Sequence, residues 1–169
     1  CDIRLAAQAF LEGSADSPLA VVGFSLGGNI ALKLALEAGG PPLPQLVAVA
    51  AVCPPVDPSA CVQRVCSGRF RLYDRVFYKG LREDWVRRRQ LFPDLPAIDL
   101  PKRGTLRLFD DLITAPLNGY QSADDYYRSN ATAHRLVEMP IPALIVAAAD
   151  DPVVTIEPLG GPPQPAPRW

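Results

Sequence analysis

Leu19-Ala20-Val21-Val22-Gly23-Phe24-Ser25-Leu26-Gly27-Gly28-Asn29 is the stretch that decides how this chain folds. Its first four residues are apolar and two are β-branched, the composition of a short strand buried on both faces. Gly23 to Gly28 breaks the run. From Asn29 onward Ile30, Leu32, Leu34 and Leu36 set a helical pattern that stops at Gly39-Gly40 ahead of prolines. Working outward, Ile3, Ala6, Ala7 and Phe10 lie at helical spacing upstream, and Leu46 to Cys53 is a second apolar run of strand length downstream. Helix, strand, tight turn, helix, strand is by default a right-handed parallel βαβ unit.

The middle of the chain changes character. Nine basic residues and three acidic ones lie between Arg64 and Arg89, and Leu72, Val76, Trp85 and Val86 among them fit amphipathic helices. A solvated helix face accounts for this basic cluster more simply than a nucleic-acid or anionic-lipid surface. Leu106, Phe109, Leu112 and Ile113 form another helical stripe, and Ser122-x-x-Asp125 resembles a capping box that opens a helix through Tyr126 and Tyr127. Pro140-Ile141-Pro142 then resets the chain into Ala143 to Ala149, a third apolar strand running into Asp150-Asp151-Pro152. The predicted class is α/β: a parallel sheet with a helical lid insertion at about 55–138. The Pro-rich tail, 159–169, has no periodicity and is predicted to be disordered.

Composition bounds the function. The chain has 169 residues and a net charge of −1, which argues against a dedicated nucleic-acid binder. No apolar run approaches the roughly 20 residues of a membrane span, so no integral membrane segment is predicted. One histidine and four cysteines without a CxxC pair make no zinc site, so neither a metal nor another cofactor is expected. Reduced thiols point to a cytoplasmic protein. Nothing in the sequence speaks to oligomeric state.

Gly23-Phe24-Ser25-Leu26-Gly27 matches the nucleophile-elbow pattern G-x-S-x-G, and a strand before it with a helix after it is the context that gives the match meaning. In such a turn the serine takes a strained conformation, and the residues two before and two after it must lack bulk. The helix that follows aims its N-terminal dipole at the serine, and the amide of Leu26 points to where an oxyanion forms. A serine nucleophile needs a base, and the base needs an orienting acid. Asp151 is the candidate acid, because Asp151-Pro152-Val153-Val154 gives an acid, a turn residue and an apolar pair just past a strand. Asp150 beside it is expected to shape the loop. His134, the only histidine, precedes the acids on a segment expected to lead away from Ser25, so the triad base is not expected within these residues.

Four stretches taken together resemble one family. They are Gly23-Phe24-Ser25-Leu26-Gly27-Gly28-Asn29, Phe109-Asp110-Asp111-Leu112-Ile113-Thr114-Ala115-Pro116, Asp125-Tyr126-Tyr127-Arg128 and Asp150-Asp151-Pro152. In this order they resemble the YheT-like α/β-hydrolases, a branch of predicted esterases and eukaryotic lipid hydrolases and acyltransferases. The resemblance implies a partial α/β-hydrolase domain over 1–158, with Ser25 as nucleophile and Asp151 as triad acid. It also implies that Phe109-Asp110 and Tyr126-Tyr127 hold the lid to the core. Family members carry further strands and a His-Gly loop before the position of Cys1, and a histidine segment after the acid; neither is found in this sequence. The function expected is hydrolysis of a small-molecule or lipid carboxylic ester through an acyl-serine, by a protein of which this chain is a piece truncated at both ends. Two alternatives stand beside it: acyl transfer to an alcohol on the same scaffold, and a non-catalytic remnant lacking the triad histidine. The chain by itself is expected to be inactive.

Overall fold

The computed structural model describes residues 2–12, 17–37 and 43–160. The expected helix stop at Gly39-Gly40 and all but the first two residues of the proline-rich tail lie outside them. The chain divides into two compact units, one of residues 1–57 with 131–169 and one of residues 58–130.

In the first unit, β1 (Leu19–Phe24), β2 (Leu46–Val52) and β3 (Ala143–Val146) form a sheet of order β1-β2-β3. Both pairings are parallel, with Gly23 opposite Ala51 and Ala51 opposite Ile145. The helix α1 (Asp2–Leu11) precedes β1, and α2 (Leu26–Leu36) connects β1 to β2. Parallel neighbours require such a crossover, and a helix placed between two apolar strands supplies it. The core sits where α2 meets one face of the sheet: Leu32, Leu34, Ala35, Val49, Ala51 and Val56 are all buried. Side chains alternate along a strand, so the register sends Val22, Phe24, Leu144 and Val146 to the opposite face. All four are exposed there, at 60%, 69%, 61% and 49%. β1 is therefore covered on one face among the described residues, not on both as its composition suggests. β3 is also shorter than its apolar run. Pairing ends at Val146, opposite Val52, because β2 itself turns away at Cys53.

The second unit is helical. It contains α3 (Pro58–Val65), the long α4 (Arg71–Leu91), α5 (Leu106–Phe109), a π-helical turn over Asp110–Thr114, α6 (Ala115–Leu117) and α7 (Ala123–Asn130). On α4 the buried residues are Asp74, Tyr78 and Trp85, at spacings of four and seven. Of the four residues that the sequence pattern selects, Trp85 faces inward, while Leu72, Val76 and Val86 point outward. Aromatic and polar side chains with a hydrogen-bonding end take the inner positions. Tyr78 Oη donates to the carbonyl of Pro101 at 2.7 Å, and Trp85 Nε1 to that of Ile98 at 3.1 Å. Ser122 caps α7 as expected, its Oγ accepting from the Asp125 N–H at 3.2 Å. Asp110 is buried, and its carboxylate accepts from Tyr127 Oη and from Thr114 Oγ1, each at 2.7 Å. Burial raises the Asp110 carboxyl above the ordinary carboxylate value, while the two hydroxyl donors pull it back. Phe109 lies in this unit's own core with Tyr78, Trp85 and Ile113. The Phe109-Asp110 and Tyr126-Tyr127 marks thus bind helices of this unit to one another.

Candidate active site

β1 runs straight into α2 with one residue between them. That residue is Ser25, at φ 51° and ψ −126°, a backbone region that an L-residue enters only at a cost. The surroundings determine this conformation. The Ser25 N–H donates to the carbonyl of Val52 at 2.8 Å, which ties the turn to the end of β2. The Ser25 carbonyl accepts from the N–H groups of Gly28 and Asn29 at 2.9 and 3.3 Å, which starts α2 immediately.

Glycines permit so tight a passage, though not the two that the motif suggests. A Cβ on Gly23 would lie 2.2 Å from the carbonyl oxygen of Gly27, so only glycine fits there. A Cβ on Gly27 would meet nothing within 4 Å. Gly28 is the second crowded position, where a Cβ would stand 3.1 Å from the Gly23 oxygen and 3.2 Å from the Pro54 Cβ.

Ser25 is exposed, and its side chain makes no capping hydrogen bond to α2. Leu26 is the first residue of α2, so its N–H belongs to the donors that a helix leaves without an internal acceptor. An exposed hydroxyl beside such an amide, at the positive end of a helix dipole, suits a nucleophile whose product bears negative charge.

A contact that the motif does not announce holds the first turn of α2. Asn29 and Thr132 are both almost wholly buried, and Thr132 Oγ1 donates to Asn29 Oδ1 at 2.6 Å. The carbonyl of Val56 accepts from the N–H groups of both Thr132 and Ala133, at 2.9 and 3.1 Å. The chain therefore returns to the first unit clamped to its own exit and to the helix that begins at the serine. These partners lie 103 positions apart, and Asn29 in a helical pattern carries no local sign of burial.

Asp151 follows β3 by five residues, at the same carboxyl edge of the parallel sheet as Ser25 and with β2 between their strands. Its Oδ1 accepts from the N–H groups of Val153 and Val154 at 2.8 and 2.9 Å. An Asx turn of this kind fixes the carboxylate's direction, and the buried Val154 and Thr155 anchor the loop. Asp150 is exposed in the preceding turn. The topology thus gathers Ser25, Leu26 and Asp151 at one edge.

His134 is not gathered with them. It is exposed on the 3₁₀ segment Ala133–Glu138, which begins beside Asn29 and passes along α2 until Arg135 Nη2 donates to the carbonyl of Leu36 at 3.1 Å. That course runs from the serine end of α2 toward its far end. Among the described residues, no cluster of histidine, cysteine and carboxylate side chains is grouped to hold a metal ion, and no helix is long and apolar enough to cross a membrane.

Residues 2–168 match the family model described as the alpha/beta hydrolase family. YheT of Escherichia coli, provisionally named an esterase, is 37% identical over 140 residues, 80% of this chain and 40% of that protein. A monoacylglycerol lipase of Homo sapiens is 32% identical over 162 residues, again 80% of this chain and 35% of its own length. A Saccharomyces cerevisiae protein named medium-chain fatty acid ethyl ester synthase/esterase is 37% identical over 59 residues, 35% of this chain and 12% of that protein. The chain therefore spans two fifths or less of the length of these relatives. No solved structure matches it at a significant level.

Proposed function

We propose that this chain, which belongs to the alpha/beta hydrolase family, carries the nucleophile and the orienting acid of a serine hydrolase that cleaves carboxylic esters. The observation that carries the proposal is Ser25 at positive φ, alone between a parallel strand and its crossover helix. Ser25 Oγ attacks the ester carbonyl carbon while a histidine takes its proton. The carbonyl π electrons move onto oxygen, which the Leu26 N–H then holds. Collapse of the adduct expels the alcohol, which leaves with that proton, and water repeats the sequence on the acyl-serine.

Asp151 orients the histidine, which is one other than His134. Two parallel strand spacings of about 4.8 Å separate β1 from β3. An imidazole with a hydrogen bond of about 2.8 Å at each ring nitrogen bridges a gap of that order. The names of the relatives support an ester of lipid character as the substrate.

A second reading has its own support. The yeast relative is named for ester synthesis as well as hydrolysis, and an acyl-serine taken by an alcohol instead of water makes an ester. Both readings share Ser25, so one labelling experiment tests their common step. Treatment of the gene product with a fluorophosphonate is expected to phosphonylate Ser25, as located by mass spectrometry. The adduct should be absent in Ser25→Ala and slow to form in Asp151→Asn. A protein left unlabelled, or labelled on another serine, is a non-catalytic relative of the esterases or uses a different nucleophile. Product analysis with and without a primary alcohol then separates hydrolysis from transfer.

A further inference from the structure

We infer that the second unit contains a binding site for a phosphate group, in a cleft between the first two turns of α4 and the segment 101–105. The cleft has a volume of about 640 Å³, and Arg71, Arg75, Lys79, Lys102 and Arg103 line it against a single carboxylate, Asp74. Three of the cations stand at positions i, i+4 and i+8 on α4, one above the other. Lys79 pairs with Glu83 at 3.9 Å. Arg71, Arg75, Lys102 and Arg103 enter no ion pair among the described residues. Asp74 is buried and already engaged, its Oδ1 accepting the N–H of Leu106 at 2.7 Å and the Cys66 thiol at 3.4 Å. The chain as a whole is close to neutral, at −1, so this concentration of positive charge is local.

Both walls are fixed before any ligand arrives. Tyr78 Oη holds the carbonyl of Pro101 at 2.7 Å, Arg82 Nε holds that of Leu100 at 3.2 Å, and Asp74 holds the N–H of Leu106. Lys102 and Arg103 lie between these anchors. Gly104 crosses the Tyr78 ring so closely that a Cβ would stand 2.4 Å from it, which brings the segment down onto α4. The positive end of the α4 dipole begins at Arg71 and adds to the field. Like charges held on two rigid walls repel until an anion joins them. Guanidinium groups match the oxygens of a phosphate in pairs.

A free phosphate ester and the head group of an anionic lipid share this chemistry. Calorimetric titration of the full chain with inorganic phosphate and with glycerol phosphate tests the first source. Flotation with phosphatidylcholine vesicles, with and without phosphatidic acid, tests the second. Saturable binding in either arm is expected, with affinity reduced roughly tenfold or more in Arg75→Glu/Lys102→Glu. Arg87→Glu, a single charge reversal on the exposed part of α4 beyond the cleft, should bind as the parent does. Lys102→Gln/Arg103→Gln gives a milder variant should the double reversal fail to fold. Binding in the titration alone identifies a soluble ester, and binding to the acidic vesicles alone identifies a head group. No binding in either arm overturns the site, as does binding that Arg87→Glu weakens equally or that the cleft variants leave unchanged.

Discussion

Replacing Ser25 with glycine should make the protein more stable than replacing it with alanine, although both changes remove the same hydroxyl. Ser25 is held at φ 51° and ψ −126°. A residue with a Cβ held in that region costs about 1–3 kcal/mol, and glycine escapes the cost. Glycine also loosens the unfolded chain, which takes back about 0.4–1 kcal/mol. The net advantage of Ser25→Gly over Ser25→Ala is then about 1 kcal/mol, or roughly 3 °C in Tm for a chain of this size. Ser25→Ala alone should sit near the parent, because the Ser25 side chain makes no capping bond that would be lost. Thermal or urea unfolding of the three proteins, followed by circular dichroism, measures the difference. If Ser25→Gly unfolds at or below the midpoint of Ser25→Ala, the strained-turn argument is wrong.

Gly23→Ala should abolish folding or cost several kcal/mol, because its Cβ would lie 2.2 Å from the backbone oxygen of Gly27. Gly27→Ala should be neutral or gain up to about 1 kcal/mol from helix propensity; equal behaviour of the two in denaturant would refute this. Tyr127 is held above its ordinary value of 10.0 by burial first, and then by its hydrogen bond to Asp110 and the charge of that carboxylate. The native state thus keeps a proton that the unfolded chain gives up. The resulting stability is full below pH 10 and is lost as pH rises beyond it. Tyr127→Phe should be less stable at pH 7 by about 1–3 kcal/mol, since Asp110 loses a donor, yet show a flatter decline above pH 10. Parallel pH–stability curves for the two proteins would contradict the assignment. The 169-residue chain should hydrolyse p-nitrophenyl esters no faster than its Ser25→Ala variant, since loss of a triad base costs several orders of magnitude in rate. Robust turnover abolished by both Ser25→Ala and His134→Ala would make His134 the base.

The βαβ opening could be read from the chain because its signals are local. An apolar run, a glycine-rich turn and a helical period follow one another within Leu19 to Leu36, and each constrains the next. Ser25 and Leu26 inherit their places from that order, and Asp151 from the apolar run before it. What the sequence did not disclose depends on partners distant in the chain. The inward stripe of α4 is chosen by the carbonyls of Ile98 and Pro101, which reward Tyr78, beside the expected Trp85, over Leu72 and Val76. The length of β3 is set by where β2 ends, not by its own apolar residues. Gly28 rather than Gly27 is crowded because, besides the Gly23 oxygen, Ala51 of β2 and Pro54 on the loop after it pack against it. The Asn29–Thr132 bond joins two positions whose burial no periodicity reveals.

Among the described residues Cys53 is the second non-glycine residue at positive φ, at 47°, and it follows β2 directly as Ser25 follows β1. Its N–H donates to the last carbonyl of β3, Val146, at 2.7 Å, just as the Ser25 N–H donates to the last carbonyl of β2. The three strand ends are therefore laced in series, each strand handing its next amide to its neighbour. Local opening of one should release the others, so the Ser25 and Cys53 amides belong to a single cooperative unit of hydrogen exchange. The turn that presents the serine would then stay formed only as long as the strand leading to Asp151 stays paired.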